Sequence, residues 1–319
     1  MLRNVLILGA TGFIGRSVCE KLVERSGGGD GRIRVATRRF GRARHLQLLP
    51  TVEIACGDVH DEATLARMLR DTDVVINLVA ILHGSEAEFE HVHVRLPARL
   101  AAACASAGVR RIVHVSALGA AADAPSRYLR SKARGEQALK AAGLDVTVLR
   151  PSVVFGERDR FLNLFATLQK VFLLMPLASA DARFQPVWVD DVASAVVRSI
   201  DDPGTIGMTI ECCGPRVYTL AELVRAAGIW SGSRRPVLAL PAMLGRLQAL
   251  VMEMLPGPSL MSRDNLDSMR VASVASGKMP GLERLGIEPT PLEAIAPRYL
   301  GHVFGEARLE VWRARGRHD

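Results

Sequence analysis

The chain has 319 residues, 49% of them hydrophobic, and a formal net charge of +8. This length suits a larger domain followed by a smaller carboxyl-terminal portion. The positive charge suits a polyanionic partner, either nucleic acid or an anionic membrane surface. With three Trp and three Tyr, however, few rings are available to stack bases, so we expect no nucleic-acid partner. The membrane surface stays as an alternative.

Cysteine and histidine placement bears on location and metal binding. The five cysteines include no Cys-x-x-Cys pair, which indicates a reducing compartment. The apolar run that starts at Val5 is short, so we expect no export signal. His91 and His93 lie two residues apart in a helical stretch and should point apart, so solvated or capping roles are expected and no metal. The prediction is a cytoplasmic protein, with a peripheral position at the inner face of the membrane as an alternative.

Apolar strands alternate with helical patterns along the first half of the chain. This order predicts an α/β fold, a Rossmann doubly wound parallel sheet with helices on both faces. We expect the Rossmann domain to span 1–155, with a returning segment around 184–215, and a smaller, mostly helical substrate or docking portion to span 156–319. The connection at 40–50 is Arg-rich and only loosely helical. The candidate strands are 5–8, 33–37, 52–56, 74–79, 112–116 and 146–149.

Three spaced glycines follow the first strand and open the first helix. Gly9 allows a tight turn, Gly12 lets the backbone approach a phosphate, and Gly15 lets the helix pack closely on the strand. The helix N-terminus then supplies N–H donors for the pyrophosphate. A glycine loop that merely joins two elements is the alternative. The predicted dinucleotide cradle also includes the backbone of the intervening residues, which are Thr11, Phe13 and Ile14.

The end of the second strand bears on which dinucleotide fits. A carboxylate there would bind the ribose 2′-hydroxyl of NAD, whereas arginine accommodates the 2′-phosphate of NADP. Arg38 and Arg39 follow this strand, and no carboxylate does. We therefore predict that 1–155 is an NADP(H)-binding domain, with NAD(H) second. A solvated basic loop is the alternative interpretation.

Two further strand ends are expected to line the cofactor cleft, because ligands of open α/β sheets bind beyond the carboxyl ends of the strands. Asp58 could accept a hydrogen bond from the adenine amino group while Val59 packs on the ring, although Asp before a helix is often a cap. After the fourth strand, Val79 and the small Ala80 leave room for the ribose.

A Tyr-x-x-x-Lys pair follows the fifth strand. Tyr128 and Lys132 share a helix face, so the ammonium group could favour the phenolate and could bind the nicotinamide ribose. Such a tyrosine exchanges protons with a carbonyl or an alcohol. Ser116, at the preceding strand end, is the third candidate catalytic residue. An exposed helix turn is the alternative interpretation of the pair.

These motifs resemble the extended or atypical short-chain dehydrogenase/reductase superfamily over roughly residues 1–215. Within it, three segments look like the NADPH-binding accessory subunit of respiratory complex I and its bacterial relatives. The resemblance adds Pro151 and Val153 to the expected cofactor contacts. The superfamily motifs are 9–15, Asp58, 128–132, 150–156 and 186–193, and the segments that match the accessory subunit are 114–118, 126–132 and 158–163.

The resemblance implies two different functions. In the accessory subunit NADPH is regarded as structural, whereas other superfamily members are oxidoreductases or epimerases. Typical extended enzymes carry Ser or Thr two residues beyond Ser116, where this chain has Leu118, so the catalytic triad is incomplete. We expect a largely structural cofactor in a protein linked to complex I or quinone metabolism. The alternative is an active enzyme that uses Tyr128 and Lys132 on a hydrophobic carbonyl or alcohol, and a cofactor-sensing regulator ranks last.

The carboxyl-terminal third carries fewer signals. Residues 190–200 are predicted to form a helix, and Thr219 with Glu222 forms a capping box that opens another. An apolar stripe along 242–255 predicts a helix that faces the core, since its charges and Pro241 argue against a membrane span. The alternative is a docking surface for a membrane or partner, to which the apolar loop 172–177 would contribute.

Overall fold

The computed structural model describes residues 4–27, 31–254 and 261–301. Among these residues the strands are β1 (Val5–Leu8), β2 (Ile33–Thr37), β3 (Val52–Cys56), β4 (Val74–Asn77), β5 (Arg111–Val115), β6 (Asp145–Pro151), β7 (Val154–Phe155), β8 (Met175–Leu177), β9 (Arg183–Phe184), β10 (Val187–Trp188), β11 (Thr209–Cys212), β12 (Tyr218–Thr219) and β13 (Val237–Ala239). The helices are α1 (Phe13–Ser26), α2 (Glu62–Met68), α3 (Glu86–Phe89), α4 (Leu96–Ala107), α5 (Arg127–Lys140), α6 (Leu162–Val171), α7 (Val189–Asp201), α8 (Leu220–Trp230), α9 (Ala242–Met254), α10 (Arg263–Ser268) and α11 (Leu292–Leu300).

The chain folds into two compact units, each assembled from three segments. Unit 1 comprises Met1–Pro151, Val189–Cys212 and Ala275–Glu288. Unit 2 comprises Ser152–Trp188, Cys213–Val274 and Pro289–Asp319. These units are defined by packing and not by what they bind. The functional division at 155/156 therefore remains a prediction.

Unit 1 is built on a seven-stranded parallel sheet with strand order β11-β6-β5-β4-β1-β2-β3. The chain moves outward from β1 through β2 to β3 and then returns to β4, on the other side of β1. Ligands of such sheets bind where this reversal occurs, at the carboxyl ends of the strands. The predicted Rossmann-like α/β fold is confirmed.

Most predicted strands lie where the sequence pattern places them. The first three match, while the fourth ends at Asn77 rather than at 79, because the chain leaves the sheet there. The fifth begins one residue early, at Arg111, and the sixth extends from Asp145 to Pro151. The strand β11 was not among the candidates. The connection between β2 and β3 is a 3₁₀ helix over Phe40–Leu46.

Unit 2 packs helices and short strand pairs around its own core. Strands β7 and β10 pair in parallel, β8 and β13 pair in parallel, and β9 and β12 pair antiparallel. Helices α6, α8 and α11 pack together around buried side chains that include Phe165, Leu223 and Tyr299. The capping box of α8 forms as predicted, with the Thr219 side chain accepting from the N–H of Glu222 and the Glu222 carboxylate accepting from the N–H of Thr219.

The apolar stripe on α9 does not face the core, so that prediction is wrong. The buried side of α9 is formed by small residues instead. Gly245 and Ala249 are buried, and Gly245 approaches Ala178. Met243 is 85% exposed and Leu247 is 56% exposed. Close packing through glycine and alanine turns the large apolar side chains outward. The predicted end of this stripe, Leu255, lies outside the described residues.

Candidate functional site

The glycine turn after β1 has the geometry of a phosphate cradle. Gly9 has a φ of +86°, which favours glycine, and a Cβ there would lie 2.9 Å from the backbone of Leu78. A Cβ at Gly15 would lie 2.5 Å from the Cα of Ala10. Gly12 is exposed at the tip of the turn. The first and third glycines thus hold the helix against the strand and leave the second open to a ligand.

The amino terminus of α1 is suited to an anion. Its N-cap, Gly12, provides no side chain to cap the helix, and the first turn carries no acidic residue. The N–H groups of that turn therefore point toward the cradle with the positive end of the helix dipole. The cradle and this helix end fit the pyrophosphate of a dinucleotide. Thr11, Phe13 and Ile14 lie half-buried around the turn.

Two arginines follow β2, as the sequence indicates. Arg38 and Arg39 are exposed, and neither guanidinium has a carboxylate partner among the described residues. The turn is fixed by Thr37, whose Oγ1 accepts from the N–H of Arg39 at 3.3 Å and donates to its carbonyl oxygen at 3.1 Å. Unpaired guanidinium groups at this strand end are chemically suited to a phosphate.

The next strand ends supply both polar and apolar groups. Asp58 is exposed and accepts a hydrogen bond from the N–H of His60 at 3.0 Å, which is a turn contact, and one of its carboxylate oxygens is not used in it. Val59 and Val79 are half-buried and pack against the core of unit 1. Ala80 is exposed. Their predicted contacts with adenine and ribose remain predictions.

Buried polar atoms without partners cluster at the ends of β4 and β5. Among the described residues, the Oγ of Ser116, the Nδ2 of Asn77 and the Nδ1 of His114 have no hydrogen-bond partner. Burial lowers the pKa of His114, and the nearby Lys132 and His93 add to this effect. Buried polar groups usually have hydrogen-bond partners, so a polar ligand bound at this cluster would supply the partners that these atoms lack.

Lys132 is buried on α5 and points to the end of β5. Its Nζ donates to the carbonyl oxygen of Val115 at 2.9 Å. Burial lowers the pKa of Lys132 to about 8, and the nearby Glu136 carboxylate opposes that shift. Glu136 is itself held in a two-pronged ion pair with Arg150, at 2.9 and 2.7 Å. A lysine with this pKa can donate a hydrogen bond and can exchange a proton near neutral pH.

Tyr128 lies one helical turn before Lys132. Burial raises its pKa to about 12, which is opposite to the lowered value expected from the sequence. The reason is that burial removes water from the phenol and so disfavours the charged phenolate. In this arrangement the phenol is protonated at neutral pH and is a hydrogen-bond donor. Its role as an acid or base stays a prediction.

His93 is buried beside Tyr128 and joins two elements of the site. Its Nε2 accepts from the N–H of Ile81 at 3.1 Å. Its Nδ1 lies 2.8 Å from the Oγ of Ser131, whose proton goes to the Tyr128 carbonyl oxygen, so Nδ1 carries the ring proton. Burial lowers the pKa of His93 to about 3. The ring therefore stays neutral and ties the loop after β4 to helix α5.

This position corrects the expected solvated or capping role of His93. The residue lies in a π-helical turn, Glu90–Arg95, a feature frequent at functional sites. The available signal was its spacing, because Phe89, His93 and Leu96 fall on one buried face. His91 does point elsewhere: it is exposed and stacks on His60, with ring centroids 3.9 Å apart.

Three residues around the predicted catalytic triad complete the description. Leu118, which stands where typical extended enzymes carry Ser or Thr, is buried, and its N–H donates to the carbonyl oxygen of Pro151 at 2.9 Å. Pro151 ends β6 in unit 1. Val153 belongs to unit 2, where it packs against that unit's core. Their predicted cofactor contacts remain predictions.

A family model described as NAD(P)H-binding matches residues 9–203, more than half of the chain. This stretch contains the cradle, the arginines and the buried polar cluster. The chain belongs to the NAD(P)H-binding, extended short-chain dehydrogenase/reductase family. Within the described residues, no helix is both long and apolar enough to cross a membrane.

Relatives in this family have diverse names. The chain is 33% identical over 300 residues to mitochondrial NADH dehydrogenase (ubiquinone) 1 alpha subcomplex subunit 9 of Mus musculus, covering 90% of this chain and 77% of the relative. It is 31% identical over 242 residues to a ceramide reductase of Caulobacter vibrioides, covering 74% and 73%. A crystal structure of an NADPH-dependent quinone oxidoreductase of Escherichia coli, complexed with NADPH, has a TM-score of 0.75 at 20% identity, covering 94% of this chain and 100% of that one, and supports the fold alone.

Proposed function

We propose that this protein binds NADP(H) tightly and uses it mainly as a structural cofactor, in a role linked to respiratory complex I or quinone metabolism. The observation that carries the proposal is the cradle, in which two glycines are required by backbone contacts while the exposed Gly12 and an uncapped helix N-terminus point outward. Leu118 in place of a hydroxyl residue and the raised pKa of Tyr128 favour slow or absent turnover.

The preference for NADP(H) over NAD(H) rests on Arg38 and Arg39. Both guanidinium groups follow β2, are exposed and have no acidic partner among the described residues. Fluorescence titration should show NADPH binding at least about tenfold tighter than NADH, since charge-assisted bonds to a phosphate are worth roughly 1.5–3 kcal/mol. Arg38→Ala with Arg39→Ala should remove this difference and leave NADH affinity unchanged. Equal affinities of the unaltered protein for both cofactors would contradict the assignment.

The structural role is tested with the cofactor of the native protein. Mass spectrometry of the released nucleotide should identify NADP⁺ or NADPH at close to one per chain. A screen of quinones and carbonyl compounds should then show no consumption of the bound cofactor. Retention without turnover supports the proposal, whereas rapid turnover with one of these substrates contradicts it.

The link to complex I rests on the relatives named as subunits of that enzyme, which align with most of this chain. We infer that the chain associates with a respiratory complex of this kind and takes a peripheral position at the membrane. Affinity purification of the complex from solubilised membranes should recover the chain with the complex at a fixed ratio. Quantitative absence from that preparation would contradict the link.

The second candidate function is an NADP(H)-dependent oxidoreductase or epimerase that uses Tyr128 and Lys132 on a hydrophobic carbonyl or alcohol. The unpartnered, buried Oγ of Ser116 and the lowered pKa of Lys132 favour it. In that case, a substrate-dependent change in cofactor absorbance should be lost in Tyr128→Phe without loss of cofactor binding. An activity that survives this substitution would contradict the assigned role.

A further inference from the structure

Unit 2 exposes an apolar segment, residues 171–174, which runs from the last residue of α6 to the start of β8. Leu173 is 79% exposed and Phe172 is 53% exposed, and their neighbours Val171 and Leu174 are exposed as well. Four consecutive large apolar side chains in water are unfavourable for a protein surface. Such a patch commonly marks a site of interaction with a protein or a membrane.

Helix α9 extends this apolar surface. It runs back along β8, since Gly245 approaches Ala178 while the Nε2 of Gln248 donates to the carbonyl oxygen of Pro176 at 3.4 Å. Successive turns of α9 therefore move toward the apolar segment 171–174. The exposed side chains of α9 recur at helical spacing, which places them along one side of the helix. The large apolar ones are Met243, Leu244, Leu247, Leu250 and Val251.

Basic side chains surround the apolar segment. Strands β8 and β13 pair in parallel with Met175 opposite Val237, so the register places residues 234–235 beside the apolar segment. Arg235 is fixed there, because its Nε donates to the carbonyl oxygen of Gln169 at 3.1 Å. Arg234 is exposed and has no acidic partner among the described residues. Lys170 directly precedes the segment.

Basic residues predominate in this region. Residues 160–180 and 223–252, which include the apolar segment, β8, β13 and most of α9, contain no Asp or Glu. Some of the charge nearby is paired: Asp267 lies 3.3 Å from Arg246, and Glu253 at the end of α9 pairs with Arg263 at 2.9 Å. The basic residues of the two stretches are Arg160, Lys170, Arg225, Arg234, Arg235 and Arg246.

We propose that the apolar segment, the exposed side of α9 and the basic residues around them form a docking surface for an anionic phospholipid bilayer. Apolar side chains enter the boundary between headgroups and acyl chains, and arginine and lysine bind the lipid phosphates. A surplus of positive charge around an apolar patch complements an anionic membrane. The proposal rests on the proposed peripheral position of the protein and specifies the residues and the lipid class.

The test is sedimentation of the full chain with vesicles. Phosphatidylcholine vesicles that contain one third phosphatidylglycerol should bind the protein, and pure phosphatidylcholine vesicles should bind it far less. Phe172→Ser with Leu173→Ser should weaken binding at least about tenfold, because buried apolar groups drive insertion. Arg234→Ala should weaken it about fivefold and reduce its salt dependence. Matched controls in unit 1 are Leu48→Ser, at an apolar residue that is 88% exposed, and Lys278→Ala.

The NADPH content of every sample separates this proposal from the proposed function. All variants should retain the cofactor to the level of the unaltered protein, since none lies in the cradle. Binding to both kinds of vesicle alike, or unchanged binding by the apolar double variant, overturns the docking surface while leaving cofactor binding intact. Binding to native membranes but not to protein-free vesicles also overturns it, because the surface would then recognise a protein.

Discussion

Buried polar groups gather at the carboxyl end of the sheet in unit 1, whereas exposed apolar side chains gather on one surface of unit 2. Ser116 and His93 illustrate the first region, and Leu173 and Met243 the second. Each region departs from the usual distribution of polar and apolar groups, in opposite directions. The difference indicates the kind of ligand that each region would bind. The first region offers hydrogen-bonding groups to a polar cofactor, and the second offers apolar surface to the hydrophobic part of a bilayer.

The largest expected effect concerns the buried ion pair beneath the polar cluster. Arg150→Ala leaves the Glu136 carboxylate buried and unpaired, so the free energy of unfolding should fall by about 3–5 kcal/mol. Arg134→Ala removes the solvent-exposed pair with Glu90 and should cost less than about 1 kcal/mol. Urea unfolding followed by circular dichroism measures both. Equal losses would mean that burial does not distinguish the two pairs.

The second prediction uses the neutral His93. Its pKa of about 3 in the folded protein lies below the ordinary 6.5, so the unfolded chain takes up the proton first as the pH falls. Stability is therefore fully present above pH 6.5 and should decline below it, by up to about 1.4 kcal/mol per pH unit for this group. His114 shifts in the same direction and adds to the decline.

Substitution of the two histidines separates this effect from general acid sensitivity. His93→Phe should cost about 2–3 kcal/mol at neutral pH, because the N–H of Ile81 loses its buried acceptor, and should flatten the decline with acid. His91→Phe, at the exposed neighbour, should leave both quantities near those of the unaltered protein. A His93 variant with an unchanged pH slope would contradict the assigned ring state.

The third prediction concerns the cradle. Gly15→Ala places a Cβ against the backbone of Ala10, so α1 must move away from β1. We expect a loss of about 1–3 kcal/mol in unfolding free energy and a fall in retained cofactor. Gly41→Ala is the control, since a Cβ there meets nothing within 4 Å and the backbone is not in the left-handed region. Normal cofactor retention in Gly15→Ala would mean that the cradle tolerates a displaced helix.

The smallest expected effect is in unit 2. Leu247→Ser, on the exposed side of α9, should change the unfolding free energy by no more than about 0.5 kcal/mol. Ala249→Leu, on the buried side of the same helix, should cost about 1–3 kcal/mol through overpacking. The melting temperatures of the two variants give the comparison. A large loss in Leu247→Ser would mean that the apolar stripe supports the core after all.

Local patterns predicted the fold of unit 1 well. Apolar runs such as Val5–Leu8 and Ile33–Thr37 are buried on both faces of a parallel sheet, and that burial makes their sequence signal strong. The strand Thr209–Cys212 was not predicted as a strand, because Glu211 interrupts a short apolar run. That carboxylate is buried and accepts from the N–H of Ser276 at 2.7 Å, a long-range contact that a local pattern does not contain.

The site was predictable only in part. The spacing of the glycines and the two arginines after β2 can be recognised directly in the sequence. The structure places them at the ends of neighbouring strands. The pKa of Tyr128 depends on burial, which is set by residues distant in the sequence. The prediction of which side of α9 is buried was wrong because its local pattern was misleading. The apolar stripe has the spacing of a core-facing helix, but Gly245 and Ala249 allow closer packing on the opposite side.

The close contact of α5 with the π-helical turn restricts which residue can stand at position 135. A Cβ at Gly135 would collide with the carbonyl oxygen of His93, so the helix and the turn meet backbone to backbone. Any larger residue at 135 would push the turn outward and carry the imidazole and the N–H of Ile81 with it. The absence of a side chain three residues beyond Lys132 thus fixes the position of the His93 imidazole beside the buried polar groups. A Gly135→Ala substitution would therefore displace that histidine while every polar residue of the site kept its identity.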